Sequence, residues 1–380
     1  MKRFEFAKQL GTRLILAVVL ILPMITVFTS PVFAEDGDGG RRAVYTITNE
    51  ASGNEVAVYE RSADGSLTFM ASYPTGGLGS GAGLGSQGAV ILRENGRRLF
   101  VVNAGSNQVS VFAVRRDGLD LLDVVDSGGE RPISLTLDGR ILYVLNAGGS
   151  GNISGFRVRD NGKLVALEGS TQPLSNGGTG DSPQPAQISF SQDGNLLVVT
   201  EKATNSIDVY QVQGGIAGPP VSHPSSGMTP FGFAFAKRHD LIVSEAFGGA
   251  PGASAVSSYN ADNGTFDVIS PSVGTTQTAA CWVVVSDNGK YAYIANAGSG
   301  SISSYRIEKD GVISLLEAQA GLTGEGSSPI DMALSNNGKF LYALGAASDT
   351  ISIFRVREDG SLESLGSVSV PAGAVGLAAR

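Results

Sequence analysis

Apolar residues in this chain alternate over short runs instead of recurring at the three-to-four spacing of a helix, and the same pair of runs returns seven times. A Leu-Tyr-Val-like phrase ending in a polar or small residue occupies residues 44–49, 99–103, 142–146, 197–201, 241–245, 292–296 and 341–345. A second run, rich in β-branched and aromatic residues, follows each copy at 56–59, 109–112, 153–156, 207–210, 256–259, 302–305 and 351–354. Both are strand signals. After each second run comes a pair that tolerates the positive φ of a tight hairpin: Asp64-Gly65, Asp117-Gly118, Asn161-Gly162, Gly214-Gly215, Asn263-Gly264, Asp310-Gly311 and Asp359-Gly360. A repeat of roughly 43 to 55 residues with this content predicts four strands per unit, the size of a propeller blade.

Six innermost strands are expected before Asn95-Gly96, Asp138-Gly139, Asp193-Gly194, the degenerate Arg238-His239-Asp240, Asn288-Gly289 and Asn337-Gly338. The seventh is found at the other end of the chain, where residues 371–380 resemble 329–334 and stop where the turn would come. The pattern therefore predicts an all-β fold, a seven-bladed β-propeller of four-stranded antiparallel blades, closed by pairing the C-terminal strand into the N-terminal blade. Closure leaves no open sheet edge at the seam.

The propeller is assigned to residues 41–380 and a flexible lead to 35–40. Residues 1–34 read as a signal peptide, with a basic start (Lys2, Arg3, Lys8, Arg13), an apolar run over 14–22, and Val32-Phe33-Ala34 at the cleavage point. A secreted protein, extracellular or periplasmic, is expected. The competing reading is a retained anchor, since the apolar stretch continues to Phe28; no later stretch is long and apolar enough to span a bilayer. Loss of four bases and Glu5 with the signal takes the net charge from −8 to −11. With no basic stripe in view, nucleic acid is not an expected partner. The abundance of Gly (52 residues) beside 42% apolar residues fits a folded, turn-rich chain, and the lone Cys281 excludes an internal disulfide. A monomer is expected.

Five copies of the first phrase end in Asn or Gly (Asn49, Asn103, Asn146, Asn296, Gly345), whereas two adjacent copies end in Glu201 and Glu245. Paired carboxylates with split pKa values can serve as acid and base, so these two are the candidate catalytic pair, against the alternative of local structural pairing. His223 precedes the blade carrying Glu245 and is a candidate base; Arg131 and Lys202 are candidate contacts for a substrate's charge, with Asn103, Asn146, Asn296 and Gln187 as further mouth or channel contacts. No cofactor is required. An oxygen-only Ca²⁺ site drawing on Glu201, Glu245, Asp181 and backbone carbonyls stays open. The Gly83-Leu84-Gly85-Ser86-Gln87-Gly88 pattern opens a strand instead of a helix, so it reads as a flexible loop and not as a dinucleotide cradle.

The segments Leu142-Tyr143-Val144-Leu145-Asn146, Tyr293-Ile294-Ala295-Asn296, Arg131-Pro132, Ser328-Pro329, Val199-Thr200-Glu201-Lys202 and Val243-Ser244-Glu245-Ala246-Phe247-Gly248-Gly249 resemble the lactonase family of seven-bladed propellers, which includes 6-phosphogluconolactonase-like and carboxymuconate-cyclase-like proteins. The blade phrases also resemble surface-layer YVTN-like repeats. The family resemblance covers essentially the whole mature chain and implies cofactor-independent hydrolysis or isomerisation of a lactone, with a small-molecule lactone or organic acid as partner. Export disfavours the cytosolic 6-phosphogluconate lactone as that substrate. The enzymes resembled rely on His, Arg and Glu, and this chain has two histidines. The competing class is a non-enzymatic propeller that binds a protein, glycan or cell-surface ligand.

Overall fold

The computed structural model describes residues 42–262 and 265–380; the signal and lead assignments and the Asn263-Gly264 turn lie outside them. Seven antiparallel sheets form the predicted blades. The innermost strands are Val90–Leu92, Pro132–Asp138, Pro185–Phe190, Pro230–Phe235, Ala280–Val285, Pro329–Leu334 and Val375–Ala379. Blade 1 takes its inner strand from the C-terminus: Val44 faces Ala379 and Tyr45 faces Ala378, and Ala43–Ile47 pairs onward to Glu55–Arg61 and Leu67–Pro74. Blades 2 to 7 follow in chain order.

Second strands are apolar on both faces because each is covered by the blades on either side, and the run Leu142, Tyr143, Val144, Leu145 is wholly buried. Their tyrosines also fasten blade to blade. Tyr143, Tyr293 and Tyr342 each donate a phenolic proton to the glycine carbonyl of a neighbouring blade's outer hairpin, at Gly215, Gly360 and Gly65. The degenerate turn of blade 5 is a single 3-10 turn, Lys237–His239, which Arg238 and His239 close with φ near 62° and 64°. In blade 3 the outer strand is broken into Leu164–Ala166 and Gln172–Pro173.

Links from the outer strand of one blade to the inner strand of the next lie at one mouth of the ring. Most are short, as between Asp126 and Pro132, but residues 75–89 form a long one. Its 83–88 stretch, expected to be a flexible loop, is an ordered plug bonded to the inner strands of several blades. Ser86 donates to the Ile133 carbonyl at 2.8 Å, Gln87 N–H to Ala186 at 3.1 Å and Trp282 Nε1 to the Ser86 carbonyl at 2.9 Å. The Gln87 amide imitates a strand, donating to Val283 O and accepting from Val283 N. Gly232 makes room for it, since a Cβ there would stand 2.4 Å from the Gln87 amide oxygen. Asp331 ties plug to closure: its carboxylate accepts from Gly88 N–H and, at 3.1 Å, from Leu377 N–H, while burial pushes its carboxyl up to about 8.

Candidate functional site

Second strands reach the mouth at their C-terminal ends, and in blades 2 to 6 the last side chain turns into the blade. Asn103 accepts from Asn54 and Thr75 and donates to Ser110; Asn146 donates to Asn152, Ser154 and the Ser127 carbonyl; Asn296 donates to Ser301 and Ser303. Each polar terminus thus pins the strand to its third strand, and in blades 2 and 3 also to the incoming inter-blade link. All three are buried and face no solvent. In blade 1 the strand ends at Ile47, and Asn49, at a φ of 55°, instead reaches the carbonyl of Ala82 and the N–H of Ser80.

Glu201 and Glu245 occupy this pin position and are each 0% exposed. Glu245 accepts from Gly227 N–H at 2.8 Å and from the hydroxyls of Ser225, Ser257 and Ser272. Burial raises its pKa and those donors oppose the rise. Glu201 accepts from Ser175 N–H, the Ser175 hydroxyl and Thr204. Asp208 lies beside it, its carboxyl pushed up to about 7 by burial, by a hydrogen bond with Glu201 and by the charge of that neighbour. The two glutamates therefore do not form the expected catalytic pair facing the mouth: each is enclosed in its own blade, and among the described residues they share no hydrogen-bond partner. Nor, among the described residues, are three or more acidic, His or Cys side chains gathered as an ion would need.

His223 is likewise displaced from its expected place. It lies on the outermost strand of blade 4, Ile216–Pro224, opposite Ile207, with its ring centroid 4.6 Å from that of Phe266. Gln187 bridges the inner strands of blades 4 and 5, donating to Phe233 O and accepting from Phe233 N, and is a satisfied core amide.

Lys202 and Arg131 do meet at the mouth. The residue after the strand terminus is Ala104, Ala147, Ala246, Ala297 and Ala346 in five blades, but Lys202 in blade 4 and Glu50 in blade 1. Its N–H donates to the Gln184 carbonyl as Ala147 donates to Arg131, so the lysine departs from the repeat in side chain alone. Its Nζ donates to Gly85 O at 2.7 Å and Pro185 O at 3.1 Å and sits 4.6 Å from the Phe231 ring centroid. Phe231 in turn packs on Trp282, centroids 4.9 Å apart. Burial, with the Arg131 charge adding to it, pulls the amine down to about 8. Arg131 holds φ at 53° before Pro132, stays exposed, and extends to the Gly83 carbonyl at 3.4 Å. Plug, aromatic wall and two cations form a cup closed on the channel side. The sequence signal for its centre is the break in the alanine series, one residue beyond the break in the asparagine series.

The fold and the site define a closed seven-bladed β-propeller with a plugged channel and with Lys202 and Arg131 gathered in a cup at one mouth. The family described as Lactonase, 7-bladed beta-propeller, matches residues 32–173 and 253–375, and the chain belongs to it. A 6-phosphogluconolactonase from Bacillus subtilis (strain 168) is 24% identical over 272 residues, 66% of this chain and 74% of that protein. Among solved structures, the periplasmic gluconolactonase PpgL of Pseudomonas aeruginosa has 19% identity and a TM-score of 0.62, covering 88% of this chain and 98% of that one. A Lactobacillus plantarum protein reaches a TM-score of 0.70 at 14% identity, covering 89% and 98%. The family match leaves out residues 174–252, where Lys202 and both glutamates lie.

Proposed function

We propose that this chain hydrolyses an anionic lactone in the cup around Lys202. The observation that carries the reading is a half-buried amine drawn down to about 8, held over an aromatic face beside Arg131 on the floor of a plugged mouth. An amine lowered to about 8 is half neutral at that pH and gains the base form as pH rises through it, which an ordinary lysine does not do until far more alkaline pH. Arg131 takes the substrate's anionic group, which its planar fork suits. Neutral Lys202 removes a proton from water, the oxygen attacks the ring carbonyl, and collapse of the tetrahedral adduct breaks the ring C–O bond. The ammonium then returns its proton to the departing oxygen, so lactone and water give one hydroxy acid. The Bacillus and Pseudomonas relatives, a 6-phosphogluconolactonase and a gluconolactonase by name, support a sugar-acid lactone as the substrate class. The basic and apolar opening of residues 1–34 supports export before the enzyme meets it.

The test is turnover of matched anionic and neutral sugar lactones by the protein and by Lys202→Met. The expected kcat/KM rises with pH through about 8, the free-enzyme value of the amine. Lys202→Met is expected to lose on the order of 10²-fold or more, the usual contribution of a positioned base, and to flatten that rise. Unchanged turnover in the variant overturns the mechanism. Absence of turnover, together with lactone-acid binding that depends on Arg131 and Lys202, identifies a binding module instead.

A further inference from the structure

At the opposite end of the ring from the cup, the fold assembles a basic patch that is scattered in the sequence. The hairpin turn of blade 2 brings Arg93, Arg97 and Arg98, the corresponding turn of blade 3 brings Arg140, and the outer turn of blade 3 brings Arg159 with Asp160. Together with Asn95 and Val158 they line a cleft of about 120 Å³. Five arginines against one aspartate leave a strongly positive lining in a chain whose net charge is −8. Asp160 is engaged by Arg140 at 2.6 Å, and the nearby Arg115 is engaged by Asp120 at 2.8 Å. Arg93 and Arg98 donate to backbone carbonyls of Gly139, Arg97 and Asp160. Among the described residues no carboxylate forms an ion pair with Arg93, Arg97, Arg98 or Arg159. Burial and the charges of Arg115 and Arg93 lower the pKa of Arg98. Half-burying a guanidinium among its own kind is unfavourable in the absence of an anion, and a bound anion reverses the sign of that interaction.

We propose that this cleft is a binding site for a phosphate group, distinct from the lactone cup. Arginine forks match tetrahedral phosphate oxygens two at a time, and a lining this positive suits a multiply charged group better than a single carboxylate. The cleft's volume admits a compact head and not a bulky ring. The phosphate comes either from a small soluble ester or from a lipid headgroup, and both present the same oxygens.

Calorimetric titration with inorganic phosphate, beside flotation on vesicles of phosphatidylglycerol or of phosphatidylcholine, tests the proposal on the whole protein and on the double variant Arg98→Gln/Arg159→Gln. Saturable phosphate binding, weakened at least tenfold in the double variant, is expected. Flotation on phosphatidylglycerol alone, lost in the variant, assigns the headgroup as the source; binding of phosphate without flotation assigns the soluble ester. In the absence of phosphate the variant is expected to melt close to the parent, because the loss of the exposed Arg98 hydrogen bonds to Arg97 O and Asp160 O is offset by the loss of repulsion, and no ion pair is broken. Lactone turnover is expected to be equal in both, which separates this site from the cup. Neither phosphate binding nor flotation by the parent protein, or equal binding by the double variant, overturns the proposal.

Discussion

At residues 201 and 202 the chain passes from the inside of a blade to the mouth, and the two neighbouring side chains obey different constraints. Glu201 stands where Asn103, Asn146 and Asn296 stand, and the fold surrounds that position with hydroxyls, which accept from the asparagine amides and donate to the glutamate carboxylate. Lys202 stands where five blades place alanine, and there the fold asks for nothing beyond a backbone N–H. A polar residue at the first position is a solution to strand termination. A long cation at the second has no such excuse, and its partners are the channel plug and an aromatic wall. Unusual chemistry is thus most informative where the repeat otherwise keeps a side chain small.

The largest effect that would break this contrast is expected from Glu245→Ala. It strands Gly227 N–H and three serine hydroxyls in a buried pocket, and we expect a loss of about 3 kcal/mol or more in denaturant unfolding, with unchanged turnover per folded molecule. Lost turnover at full occupancy of the fold would return this glutamate to catalysis. Arg131→Ala is expected to do the reverse: an increase of roughly tenfold in KM for an anionic lactone, about 1.4 kcal/mol, with a neutral lactone and the melting temperature little affected. Next is Asp208. Its folded pKa lies above the ordinary 3.8, near 7, so its contribution is fully present below about pH 4 and is lost as pH rises through about 7. The melting temperature of Asp208→Asn, followed from pH 4 to 8, is expected to fall less with rising pH than that of the parent. The smallest effect is expected from His223→Ala, which gives up one ring contact with Phe266 on an outer strand. Under about 1 kcal/mol of stability and no activity should change, as unfolding and turnover assays would show.

The ring itself was legible because strand periodicity and turn pairs repeat locally, and because the surplus strand at residues 375–379 had a vacancy waiting in blade 1. Arg131 and Lys202 were legible as mouth residues for the same reason. The orientation of Glu201 and Glu245 was not, because alternation along a strand does not say which face a terminal residue presents, and the donors that capture them, Thr204 apart, come from links and strands 12 to 27 positions away. The plug was misread because its partners are the inner strands of other blades: Gln87 binds Val283, 196 residues on. The arginine cleft escaped notice because its members are spread over 93–159 and meet only when two blades stand side by side.

The strand that closes the ring also sets a timetable. Tyr45 and Ala378 stand side by side in the folded protein, yet more than 300 residues must leave the ribosome between them. Until Val375–Ala379 emerges, the N-terminal blade has an unsatisfied inner edge and the plug lacks the Asp331–Leu377 tie beneath it. Blades 2 to 7 can each pair strands that are close in sequence, but blade 1 is closed only by partners more than 300 residues apart, a slow, long-range step of the kind that exposes an incompletely folded chain to mispairing.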